Sequence, residues 1–213
     1  MKTPDVVYSN IISRAARLFA RYGYKRITLD DVSTECGISK KTFYTFFDNK
    51  TDLVKKVVTY ELELFQQEVD LLQAQSGNAV EEQLRLIEVV HKLSFRLTPT
   101  LRNDLIKFYQ DAFQLIEDFK EHYLLPFFKK NMKKGLSEGL YRDFFNPKIM
   151  IYLRMEQLEA LAYKTFTQPT GISIEEIIRQ VNYHYLSGLC TPNGFKILKK
   201  HIHSNNINSH TTI

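Results

Sequence analysis

T28-L-D-D-V-S-T-E-C-G37-I-S39-K-K-T-F-Y-T-F-F-D-N-K50 is the stretch on which the reading of this chain turns. Leu29, Val32 and the small Cys36 recur on one side of a 3.6-residue spiral, which predicts a short helix. Thr28 is placed to cap it, with Asp31 three residues on in the manner of a capping box. Gly37 breaks the pattern and suits a sharp helix-to-helix turn, because glycine enters positive φ without steric cost. Ile38 can plug the gap between the two helices. Ser39 is a good cap for a second helix, running to Phe46, that carries Lys40, Lys41, Thr42, Tyr44 and Thr45 outward. Phe43, Phe46 and Phe47 would face inward or brace it.

This is the layout of a helix-turn-helix whose second helix enters the major groove of DNA. Lysines offer charge to phosphates and donors to guanine edges, and threonine offers a hydroxyl and a methyl group. The residues predict that Lys40, Lys41 and Thr45 approach bases. Thr28, Ser39, Thr42, Tyr44 and Lys50 are expected to hold phosphates, which fix the pose without carrying sequence information. Taken singly, each could equally be an exposed residue on a core helix.

The run T-x-x-D-V-x-x-x-x-G-I-S-K-x-T-F-Y-x-F-F-x-N-K-x-D-L resembles the N-terminal signature of the tetracycline-repressor (TetR) family of bacterial transcription regulators, over roughly residues 6 to 57. The resemblance implies that Thr28, Tyr44 and Lys50 grip the DNA backbone. The position of Lys41 is often glycine in that family, so this lysine departs from its pattern. The resemblance further implies a homodimer on a palindromic operator, a small-molecule effector, and a helix beginning near Asn49 that acts as a lever between effector and DNA.

Outward from the motif, Val7, Ile11, Ala15, Leu18, Phe19 and Tyr22 predict a first helix from Pro4 to Tyr22, stopped by Gly23. Asn49 or Asp48 caps a long helix to about Gln75. Its stripe is Leu53, Val57, Tyr60, Leu64 and Val69 or Leu71. Further helices are expected over 79–97 (Leu84, Ile87, Val90 or His91, and Phe95 inward), 100–109, 111–138 with a kink at Pro126, 147–166, and from a Ser173 cap to Leu189. No strand is predicted. The fold class is therefore all-α, about nine helices: a three-helix DNA-binding domain at 1–47, a larger helical ligand-binding and dimerisation domain at 48–198, and a disordered tail at 199–213.

The 213 residues are 44% hydrophobic, enough for a sizeable core, and carry a net charge of +5. Residues 1–50 hold nine Lys/Arg against five Asp/Glu, so most of the excess surrounds the proposed DNA reader. Two cysteines without metal or disulfide spacing fit a reducing cytosol. No run reaches the roughly 18 apolar residues of a membrane helix, and a cytoplasmic protein is expected. Catalytic, cofactor and metal motifs are absent, so no enzyme, cofactor or metal is predicted.

Two assignments in the second half stay open on residues alone. Phe95, Tyr109, Phe113, Tyr123 and Phe127 could line an effector pocket or simply pack the core. Met155, Leu158, Ala162, Ile174, Ile177, Val181 and Tyr185 could be core or a dimer interface. Two other function classes compete: an effector-independent DNA-binding activator or architectural factor, and an enzyme or carrier on a helical scaffold.

Overall fold

A computed structural model describes residues 4–94, 99–163 and 171–209. Among them lie eleven α-helices, one π-turn, and a single isolated β-bridge between Tyr141 and Cys190. The two helices beyond the expected nine have clear origins. The 111–138 segment is split in two, and the segment after Leu189 forms a helix of its own.

The described residues form two compact units, one from Met1–Gln67 and Leu93–Glu121, the other from Glu68–Lys92 and His122–Ile213. The first unit begins with α1 (Pro4–Tyr22), α2 (Leu29–Cys36) and α3 (Lys40–Phe43). α4 (Lys50–Gln75) starts in it, and α6 (Pro99–Phe108) and α7 (Gln110–Phe119) complete it. Its core is one continuous cluster of Ile11, Ala15 and Phe19 with Val32, Phe43, Phe47, Leu53, Val57, Leu101, Leu105 and Ile116. The compact unit thus takes in more than residues 1–47. Two short helices bury too little apolar surface alone, and α4, α6 and α7 supply the missing wall. Tyr22, read as part of the α1 stripe, is exposed at the helix end with Arg21 over its ring.

The second unit contains α5 (Ala79–Ser94), α8 (Leu125–Ser137), α9 (Pro147–Tyr163), α10 (Ile174–Leu189) and α11 (Pro192–Ser209), together with the end of α4. Ahead of α8, residues Lys120–Leu124 form the π-turn. Pro126 cannot donate to a carbonyl one turn back and its ring crowds that carbonyl, and the widened turn accommodates both effects. The kink therefore falls just before the proline. On α4, Val69 is buried and Leu71 exposed. On α5 the buried face is Val80, Gln83, Leu84, Leu86 and Val89, with Ile87 only half-buried, because Glu82 and Gln83 turn inward to polar partners on α8. The segment from 199, expected to be disordered, continues α11 through Ser209, and Leu198 anchors that helix in the core.

Candidate nucleic-acid interface

The helix-turn-helix is assembled by local bonds. The Thr28 hydroxyl accepts from the Asp31 amide at 3.1 Å, and the Asp31 carboxylate accepts from the Thr28 amide at 2.8 Å. The Thr28 hydroxyl proton also goes to Asp31, at 2.7 Å. The backbone bond from Thr28, and then its hydroxyl, hold the Asp31 carboxyl below the ordinary carboxylate range. Gly37 ends α2 at φ 65°, ψ 34°. Its amide donates to Thr34 O, and the Ile38 amide reaches Ser33 O at 3.1 Å. A side chain at this left-handed φ would be strained. Ser39 then caps α3, accepting from the Thr42 amide at 3.1 Å. Regular helical bonds reach only Phe43 and Tyr44; the turn to Phe46 tightens to i→i−3 bonds.

Phe43 and Phe47 are buried, and the Tyr8, Phe46 and Phe47 rings pack together beside them. With that side committed to the core, Lys40, Lys41, Thr42, Tyr44 and Thr45 are left exposed, Tyr44 at 52%. Asn49 caps α4 by accepting from the Asp52 amide at 3.0 Å. Lys56 ties α4 back to the reader, donating to Phe46 O at 3.0 Å and to Asp52 at 2.9 Å.

Several of these polar residues have partners within the chain. Lys40 Nζ lies 2.6 Å from Asp30 Oδ2 with both side chains exposed. Such a pair is worth little and exchanges readily for a phosphate or base edge. The Ser39 and Thr42 hydroxyls bond each other at 2.9 Å, and Thr45 donates to Thr42 O. Lys50 is half-buried and donates to Lys25 O at 3.0 Å, and burial lowers its pKa. An ammonium has three donors, so two remain for a phosphate. The Thr28 hydroxyl is fully engaged in the capping box and would have to leave Asp31 to donate to DNA.

Sequence reasoning missed two members of this site. Asp30 holds Lys40, and Asp104 on α6 accepts from the Lys25 amide at 3.0 Å. Gly23, at φ 88°, lets α6 approach: an added Cβ would sit 3.2 Å from the Asp104 carboxylate. Nothing near Lys25 in sequence signals a partner 79 residues away. Cys36 is a half-buried free thiol whose pKa burial raises.

The four described aromatics among the five pocket candidates fall two in each unit. Tyr109 and Phe113 belong to the core of the first unit, with Tyr109 against Tyr24 and Arg102 over Phe113. Tyr123 and Phe127 belong to the second, where the Tyr123 hydroxyl bonds Asp70 at 2.7 Å and Phe127 stacks edge-on to Phe128. Phe95 lies outside the described residues. A cleft of about 620 Å³ in the second unit is lined instead by α4, α5 and α11, including Leu72, Leu84, Arg85, Glu88 and His201.

Residues 11–57, which span α1 to the start of α4, match the family described as bacterial regulatory proteins, tetR family. Those residues form a DNA-binding domain of the tetR family. The chain is a helix-turn-helix DNA-binding transcriptional regulator. An uncharacterized HTH-type transcriptional regulator of Bacillus subtilis, YhgD, is 27% identical over 191 residues, covering 84% of this chain and 94% of the relative. The fold is also that of the fatty acid degradation regulator FadR from Bacillus halodurans, at a TM-score of 0.69, 16% identity and coverage of 88% and 97%. AibR, solved in complex with isovaleryl coenzyme A and operator DNA, superposes at a TM-score of 0.60 with 19% identity, covering 84% and 97%. Among the described residues, no helix of the chain is long and apolar enough to cross a membrane.

The cap carries a direct prediction. Thr28→Ala is expected to cost about 1 kcal/mol of stability in urea unfolding. The bonded Asp31 carboxyl titrates below its unfolded value, so its contribution is present above the ordinary carboxylate range. That contribution is lost as pH falls through the folded value. The gap between wild type and variant should therefore narrow in acid; a gap that widens would contradict this account of the cap.

Proposed function

We propose that this chain is a homodimeric repressor that reads a palindromic operator with two copies of the Ser39–Phe46 segment and leaves it when a small-molecule effector binds. The observation carrying the reading is that Phe43 and Phe47 are locked into the core while Lys40, Lys41, Tyr44 and Thr45 project from the opposite side. Lys40, Lys41 and Thr45 are assigned to bases; Ser39, Thr42, Tyr44, Lys50 and Thr28 to the backbone. One short segment specifies too few base pairs, and two would enter successive major grooves roughly 34–36 Å apart.

A dimer is supported by apolar surface left on α9, where Ile149 is 59%, Tyr152 68% and Leu153 44% exposed. Met155, Leu158, Ile174, Ile177 and Val181 are half-buried within the chain and suit the rim or face of the same interface. Tyr185 is buried within its own subunit, with its hydroxyl on Met150 O, and is assigned to the core. Ala162 lies outside the residues whose side chains are described. Effector response is supported by the AibR complex, whose fold this chain shares, and by α4, which contributes residues to both compact units. Effector binding that tilts α4 would change the spacing of the readers. The coupling is reciprocal, so operator DNA weakens effector binding by the same factor.

Selection of duplexes from a random library should return a palindrome with paired half-sites; binding without enrichment would sink the reading. On the selected operator, Lys50→Ala is expected to weaken all sequences alike and lower the salt slope by about one. Lys40→Ala is expected to relax one base position at a cost of about 1–3 kcal/mol. A uniform loss in both variants would overturn this division of roles.

A further inference from the structure

The second unit encloses a positive charge that its described residues do not neutralise. Arg154, on α9, is 1% exposed. Its Nη2 donates to Oδ1 of Asn182 on α10, a neutral amide. Its Nε and Nη1 are buried with no acceptor among the described residues. The charged or titratable groups that act on it are the phenols of Tyr185 and Tyr141, not a carboxylate. Desolvation lowers its pKa only to about 10, so at neutral pH the guanidinium stays charged.

The surroundings position this group rather than compensate it. Asn182 donates from its own NH2 to Ile178 O at 2.6 Å, which turns its carbonyl oxygen to the arginine. The guanidinium carbon sits 5.1 Å from the Tyr185 ring centroid and 5.9 Å from that of Phe128. The Tyr185 ring is itself pinned by its hydroxyl on Met150 O at 3.1 Å. Buried charges in proteins are ordinarily paired, because leaving one without a counter-charge is costly. A group held this firmly, with two of its three nitrogens free, is preorganised for an anion.

We propose that Arg154 is the anchor of a binding site for a small organic carboxylate with an apolar body, and that such a carboxylate is the effector. The second half rests on the effector-responsive reading above. One guanidinium offsets one negative charge, so a monoanion leaves the interior neutral, whereas a phosphate dianion would leave a charge unpaired. Phe128 and Tyr185 offer rings to the apolar part. A carboxylate from a second copy of the chain would have to reach a group that its own subunit already encloses.

The test uses the full chain with hexanoate and benzoate as probes, the neutral hexanamide and benzamide as isosteres, and inorganic phosphate. The readouts are the melting temperature, the Nε–H resonance of Arg154, and affinity for the selected operator. At least one carboxylate is expected to raise the melting temperature and move the resonance, while amides and phosphate do neither. Arg154→Met should weaken carboxylate binding at least about tenfold, the loss of one charge-assisted bond. The site is overturned if neither carboxylate moves the wild-type resonance, a readout independent of whether the variant folds. It is also overturned if the amides bind as tightly, or if Arg154→Met binds carboxylate unchanged. Carboxylate binding through Arg154 that leaves operator affinity intact upholds the site and overturns its role as effector site. Operator release by carboxylate that is equal in wild type and Arg154→Met overturns the site while the effector reading survives.

Discussion

Phe43→Ala is expected to lower the unfolding free energy by about 3–5 kcal/mol, the range for a large aromatic removed from a closed core. The side chain is fully buried, with its ring 5.0 Å from that of Phe47. It is also the inward side of the recognition segment, whose outward side carries Lys40, Lys41 and Thr45. Little else fixes that segment: α3 has four regular residues, and its last turn is closed by i→i−3 bonds. Loss of the ring should therefore release the reader as well as weaken the core. Denaturant unfolding and operator binding on the same preparation check both. Full operator affinity in the variant would mean that the local caps at Ser39 and Asn49 hold the segment without the core.

The second large effect is expected at Asn131, where Asn131→Leu should cost about 3–5 kcal/mol despite its similar volume. Asn131 is buried on α8, and its amide NH2 donates to Ala79 O and Glu82 Oε2, both at 2.9 Å. Its carbonyl oxygen accepts from Gln83 Nε2 and the Tyr141 hydroxyl, again at 2.9 Å. The single Tyr141 hydroxyl proton is shared between Asn131 Oδ1 and Ala79 O, and Lys134 pairs with Glu82 at 2.5 Å. Leucine would leave several buried polar groups short of a partner, each worth about 1–3 kcal/mol. The cost should appear in thermal unfolding of the full chain. Since no base-contact candidate is touched, sequence preference on DNA should stay unchanged at temperatures where the variant is folded. A cost under about 1 kcal/mol would mean that the network relaxes around the gap.

Much of the reader was legible because its instructions are local. The Thr28–Asp31 box, the left-handed Gly37, the Ser39 cap and the choice of Phe43 and Phe47 for the interior all lie within a few residues of the bonds they make. Side-chain identity there decides between a few backbone geometries. The partners of the functional lysines were not legible. Asp30 is ten residues from Lys40, and the carbonyl bonded by Lys50 is 25 residues away. In the second half, Arg154 left one readable trace: it falls at helical spacing among the buried Ile151 and Leu161 and the half-buried Leu158. That spacing marks an inward face but says nothing about what faces it.

Sequence alone thus determined the all-helical class, the helix-turn-helix and its outward chemistry, because caps, turns and periodicity act over one or two helical turns. Tertiary structure alone decided three other matters. It drew α6 and α7 into the unit of the reader, where Asp104 grips the Lys25 amide. It turned Glu82 and Gln83 inward toward α8. It also enclosed Arg154 without a counter-charge among the described residues. The physical reason is common to all three. The free energy of a polar group withdrawn from water is set by the partner that meets it, as is the bond of the exposed Lys25 amide, and those partners lie 28 to 79 residues away in the chain.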